Sequence, residues 1–215
     1  MQKTILFFGD SITDCGWNRE DLGSLGLGHA FFVKLQLGTD FPNEYKFINK
    51  GINGNRVIDL YKRYKDDFVS HNPDYASIYI GVNDVWRGFL PVNDGLTNER
   101  YEEVYTSLLD EIKEACPNTK LMLIAPFILE GKETSNTEAE PDRFERFKKG
   151  VEEKAAIVKK LALKYNLPLI ELQPVFDEAC KLAPRSYWIL DGIHPTFNGQ
   201  ELIKREWVKT FELLK

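Results

Sequence analysis

The sequence predicts an α/β fold, a three-layer α/β/α sandwich on a five-stranded parallel sheet, and three observations predict it. Five short apolar or β-branched runs, bounded by Gly, Pro, Asn or Asp, alternate with stretches of helical periodicity from end to end. Each parallel connection has to cross over through a helix, so this alternation specifies a sheet covered on both faces. A chain of 215 residues, 43% apolar and 28% charged, suits one hydrophobic core, and residues 1–215 are read as a single domain.

The first strand is Thr4 to Phe8, which stops at Gly9-Asp10 and is too short for the core of a secretion signal. Lys46 to Asn49, Tyr75 to Ile80, Lys120 to Ala125 and Leu167 to Leu172 supply the other four strands. Between them, Val57, Leu60, Tyr61, Tyr64 and Phe68 form one stripe at helical spacing, and Tyr101, Val104, Tyr105, Leu108, Ile112 and Ala115 form another. Val151, Ala155, Val158, Ala162 and Tyr165 step by four and three, as do Ile203, Trp207, Phe211 and Leu214. All four are expected to be core-facing helices. Ligands in such sheets bind outside the carboxyl ends of the strands, where this chain has its long connections, Ser11 to Gly28, Asn83 to Thr97 and Phe127 to Asp142. The segment Glu130 to Glu138 within the last is polar enough to be a mobile surface excursion or a lid.

Composition narrows the partners. Cys15, Cys116 and Cys180 are odd in number and lack metal-ligand spacing, which suggests neither a disulfide framework nor a metal site and points to a reducing, cytoplasmic setting. A net charge of −5 with no basic cluster leaves no footprint for nucleic acid or an anionic membrane surface. No run approaches the roughly 18 apolar residues of a membrane span. A small or neutral ligand is expected, without a cofactor. Homo-oligomerisation stays open.

Four motifs carry chemistry. Phe8-Gly9-Asp10-Ser11-Ile12-Thr13-Asp14 places a Ser at the end of the first strand. A hydroxyl is a weak nucleophile without a base, and Gly-Asp-Ser alone is a common turn or helix cap. Asp191-Gly192-Ile193-His194-Pro195 puts a carboxylate three residues before one of only three histidines (His29, His71, His194). From there it can hold the imidazole's tautomer while the other ring nitrogen faces a nucleophile, although such pairs are also structural or metal-binding. Asn49-Lys50-Gly51-Ile52-Asn53-Gly54-Asn55 and Gly81-Val82-Asn83-Asp84 follow the second and third strands. Gly lets a backbone N–H approach a ligand and an Asn amide can donate to developing charge, the parts of an oxyanion hole, yet both residues are ordinary in turns.

Together these motifs converge on one sheet edge, and with them the whole chain resembles the SGNH hydrolases, the GDSL esterases, whose fold is flavodoxin-like. The resemblance implies Ser11 as nucleophile, His194 as base and Asp191 as its orienter, with the N–H groups of Ser11 and Gly54 and the Asn83 side chain as oxyanion hole. Ile12 stands where the name-giving motif has Leu, and Thr13 replaces the second Gly of the Gly-x-Ser-x-Gly elbow of the other esterase fold. Ser11 to Gly16 and Asn83 to Arg87 are similar to the carbohydrate acetylesterase branch related to acetylxylan esterases. That implies an acylated oligosaccharide such as acetylated xylan as substrate. Asp10, Trp86 and Arg87 are then candidate substrate-binding residues, Trp86 by stacking on a sugar and Arg87 by binding a ring hydroxyl, against core packing and a surface ion pair. The competing functions are a lysophospholipase or thioesterase for longer acyl chains, and a non-catalytic carbohydrate-binding protein on the same scaffold.

Overall fold

A computed structural model of the protein describes residues 2–21 and 23–215. In chain order the elements are β1 (Lys3–Gly9), α1 (Ser11–Asp14), α2 (His29–Asp40), β2 (Tyr45–Gly51), α3 (Val57–Asp67), β3 (Tyr75–Tyr79), α4 (Val82–Trp86), α5 (Asn98–Ala115), β4 (Lys120–Ala125), α6 (Arg143–Tyr165), β5 (Leu169–Glu171), α7 (Leu172–Ala179), α8 (Arg185–Trp188) and α9 (Phe197–Glu212). Short 3₁₀ turns at Val69–His71 and Arg87–Phe89 extend two of the connections.

The five strands form one parallel sheet in the order β2-β1-β3-β4-β5. Alternation along β1 sends Ile5 and Phe7 to one face and Leu6 and Phe8 to the other. The first face is covered by α2, α7 and α9, whose Val33, Leu37, Phe176, Ile203, Trp207 and Phe211 complete its core. The second is covered by α3 and α5 through Val57, Leu60, Tyr64, Leu108 and Ile112. Helix α6 joins both layers, with Phe147 and Val151 in the first cluster and Ile157, Val158 and Leu161 in the second. This is the predicted three-layer sandwich. Ala115, the last residue of α5, is exposed and leaves its stripe.

Boundaries moved by a few residues. Leu172 starts α7 where the apolar run continued the last strand, and β2 extends to Tyr45 and Gly51. Helices α1, α2, α4, α7 and α8 lie outside the four expected stripes; in α2, Ala30, Phe31, Phe32 and Val33 stand in a row, which blurs the 3.6-residue period.

The register aligns the strand ends. Gly9 pairs with Gly51 on one side and Tyr79 on the other, so the connections after β1, β2 and β3 leave from one edge. The strand order reverses between β1 and β3, which makes this edge the crevice of a doubly wound sheet. α1 presses against the end of β2 there. A Cβ on Gly51 would lie 2.2 Å from the Asp14 nitrogen, so this contact admits only Gly.

Candidate active site

Ser11 is the first residue of α1, directly beyond β1. Asp10 caps the helix, its Oδ1 accepting the Ile12 N–H at 3.0 Å. Ser11 N–H is the leading amide of α1, with no intrahelical acceptor. Buried polar residues anchor this turn. Asn49, a polar residue at the end of a buried strand, donates to Thr13 O and Leu25 O at 2.7 and 2.8 Å. Gln200 donates to Ile12 O at 3.1 Å from α9. Asp14 Oδ2 accepts from Asn53 N–H at 3.0 Å, which ties α1 to the segment containing Gly54.

His194 and Asp191 lie in the turn that leads into α9. Asp191 Oδ1 accepts the N–H groups of Ile193 and His194 at 2.9 and 2.8 Å, and its Oδ2 accepts from His194 Nδ1 at 2.7 Å. The other ring nitrogen, Nε2, is 2.9 Å from Ser11 Oγ, across 183 residues of sequence. A carboxylate only accepts, so Nδ1 carries the proton and Nε2 takes the Ser11 hydroxyl hydrogen. Burial alone would raise the Asp191 carboxyl, but these three donors outweigh it and hold it below the ordinary carboxylate value. The Asp191 hydrogen bond raises His194 above its ordinary 6.5 against the opposing effect of burial, with Asp10 and Glu133 adding negative charge nearby.

Asn83, on the first turn of α4 and 2% exposed, donates from Nδ2 to Asn55 O at 3.0 Å and to Asp10 Oδ2 at 3.4 Å. The long second contact leaves one amide hydrogen weakly engaged. Gly54 adopts φ +75°, the left-handed region that favours Gly. The neighbouring Asp84 reaches back to the N-terminus of α3, where both carboxylate oxygens accept Val57 N–H at 3.1 and 3.3 Å. Residues 83 and 84 thus grip the Gly54–Val57 segment at two points. Asp10 and Asp84 are almost fully buried, and burial pushes each carboxyl up to about 7.

Two candidate substrate contacts are engaged within the protein. Asp10 is 1% exposed, and its oxygens accept from Ile12 N–H and Asn83 Nδ2, both beside the nucleophile. Arg87 forks onto Asp94 at 2.7 and 2.8 Å, and the same carboxylate receives Arg56 at 2.9 Å, so the ion-pair reading holds. Trp86 is half-buried and meets the His194 ring edge-on at 5.9 Å.

Cys15 faces Gln200, whose Nε2 donates to Sγ at 3.1 Å, and burial pushes its thiol up to about 11, unsuited to nucleophilic attack. His29 is fully buried on Gln200 and lowered to about 4 by burial, which keeps it neutral. In the connection after β4, expected to be a mobile surface excursion or a lid, Leu129 and Glu133 are hydrogen-bonded to the Asp191–His194 turn. Asn49 and Asp84 stand within the sequence motifs without a role assigned, and Gln200 is not among them; the signal available was a polar side chain at a strand end, beside Asn83, and one turn before Ile203 in a helix stripe.

Residues 7–202 match the GDSL-like lipase/acylhydrolase family. An acetylxylan esterase of Geobacillus stearothermophilus is 32% identical over 224 residues, covering 97% of each protein. A crystal structure of an acetylxylan esterase from that organism superposes with a TM-score of 0.83 at 31% identity, over 97% of this chain and 93% of the other. An alpha/beta hydrolase enzyme from the metagenome of Lake Arreo, Spain, superposes with a TM-score of 0.83 at 26% identity, over 99% of this chain and 96% of that one. With a match over most of its length and a relative of such identity end to end, the chain belongs to the GDSL-like lipase/acylhydrolase family and is a carboxylic ester hydrolase.

Proposed function

We propose that the chain, as one SGNH hydrolase domain, is a serine esterase that removes acetyl groups from a carbohydrate such as acetylated xylan or xylo-oligosaccharides. The observation that carries the mechanism is the continuous run of contacts from Ser11 Oγ through His194 to Asp191, at 2.9 and 2.7 Å. His194 Nε2 takes the Ser11 proton as Oγ attacks the ester carbonyl. The oxyanion forms against the N–H groups of Ser11 and Gly54 and the weakly engaged amide hydrogen of Asn83. His194 then protonates the departing alcohol, and water, activated by the same nitrogen, releases the acyl group from Ser11. Support for the carbohydrate comes from the acetylxylan esterases among the similar proteins and from the half-buried Trp86 ring beside His194.

One observation favours a longer acyl chain instead. An apolar cleft of about 320 Å³ lies between Cys15, Leu27, Leu190, Pro195 and Phe197, of which Leu190 and Pro195 adjoin Asp191 and His194 in sequence. Rates for acetyl to palmitoyl esters, measured beside acetylated xylo-oligosaccharides, separate the two readings. Acetyl preference is expected, and rates that climb with chain length overturn it. Ser11→Ala should lose about 10³-fold or more in kcat and fail to react with a fluorophosphonate. Normal p-nitrophenyl acetate hydrolysis by that variant, or absence of labelling in the unaltered protein, ends the serine assignment.

A further inference from the structure

Within the connection expected to be a mobile surface excursion or a lid, residues 129–134 are hydrogen-bonded to the Asp191–His194 turn, and Thr134 lies at the centre of this contact. Thr134 is 0% exposed. Its Oγ1 accepts the Gly131 N–H at 2.8 Å and donates to Leu129 O at 2.8 Å, which closes residues 129–134 into a tight loop. Two amides of that loop point outward to the other turn, Leu129 N–H to Gly192 O at 3.0 Å and Glu133 N–H to Asp191 O at 2.8 Å.

The packing between the two segments leaves no slack. A Cβ on Gly131 would stand 2.4 Å from the Asp191 carbonyl carbon, and a Cβ on Gly192 would stand 2.3 Å from Thr134 Oγ1. Gly192 also sits at φ +104°, which side chains avoid. The Asp191–His194 turn is pinned at its base by the bridge between Ile189 and Pro195 and by the Leu190 N–H to His194 O bond at 2.8 Å. Its tip, Asp191-Gly192, receives these two bonds from the 129–134 loop.

We propose that Thr134 is a positioning residue. By closing the 129–134 loop it holds the Asp191-Gly192 backbone where the Asp191 carboxylate meets His194 Nδ1 while Nε2 meets Ser11. The inference rests on the Ser11, His194, Asp191 assignment above. A displacement of about 1 Å at such a carboxylate is enough to cost about 10²-fold in rate.

The test compares Thr134→Val, nearly the same shape without the hydroxyl, with Thr134→Ser, which restores it. For Thr134→Val, kcat on p-nitrophenyl acetate should fall about 10- to 100-fold with KM within about threefold. The acid limb of the pH profile should move to lower pH. The Asp191 bond is the main influence raising His194, and Glu133, which adds to it, travels with the same loop, while Asp10 stays in place. The low-field proton signal of His194 Nδ1–H should weaken, and Thr134→Ser should recover kcat to within about threefold.

A Thr134→Val protein with unchanged kcat, limb and proton signal overturns the proposal, even if it melts earlier, because that is a structural role alone. Should Thr134→Val not fold, hydrogen exchange on the unaltered protein decides. Protected amides at Leu129 and Glu133 support the lock, and exchange as fast as in an exposed loop overturns it. Activity retained by Ser11→Ala or His194→Ala removes the relay itself, whereas loss in those variants with a normal Thr134→Val removes only the lock.

Discussion

His194 has to be neutral to accept the Ser11 proton, so the Asp191 hydrogen bond that raises its pKa also sets the acid limit of turnover. The sign follows directly: a group held above its ordinary 6.5 stays protonated to higher pH, and the midpoint of the acid limb of kcat/KM should lie above that value. A pH profile with its midpoint at or below 6.5 would show that the bond to Asp191 does not govern the free enzyme. The sequence carried the identity of these residues, because each motif sits at a strand end or before a helix. It did not carry the burial of Asp10, which depends on chain segments packed from elsewhere, and for Arg87 it left a ring hydroxyl and a surface ion pair both open, the ion pair forming with Asp94 seven residues on.

At the scale of an element, the N-terminus of α3 is held by a carboxylate from a different connection. Asp84 places a hydrogen-bond acceptor where the first amides of α3 lack partners, and so fixes the segment that carries Gly54. Its carboxyl, pushed up to about 7 by burial, titrates near 3.9 in an unfolded chain. The stabilisation from its protonated form is therefore fully present below about pH 4 and is lost as the pH rises through about 7. Asp84→Asn keeps an acceptor for Val57 N–H and cannot ionise. Its melting temperature relative to the unaltered protein should thus be higher at pH 8 than at pH 5, by about 2 °C or more. Equal differences at the two pH values, read by calorimetry, would show that Asp84 ionises in the fold as it does in water.

Across the whole molecule, one sheet serves two cores, and Trp207 fills the first of them. It is fully buried, stacks on Phe211 with ring centroids 5.3 Å apart and lies 5.2 Å from Phe7 of β1. Trp207→Ala should cost about 3 to 5 kcal/mol, a large part of the roughly 5 to 15 kcal/mol available to a domain. Because α9 also begins just after His194, activity should be lost together with the folded state in a denaturant titration. A loss below about 1 kcal/mol would mean that α9 is not integral to this core. No helix among the described residues is long and apolar enough to cross a membrane.

The sequence by itself determined the strand count, the parallel connections, four of the helices and the residues that meet at the sheet edge. These follow from period, punctuation and residue chemistry, which act over a few neighbours. Only the tertiary structure decided that the polar connection after β4 bonds to the Asp191–His194 turn, that Asp10 is buried against Asn83, and that Asp84 accepts from the start of α3. Each of those outcomes turns on which partner a polar group finds 27 to 73 residues away along the chain, and a hydrogen bond is worth forming only once packing has excluded water around it.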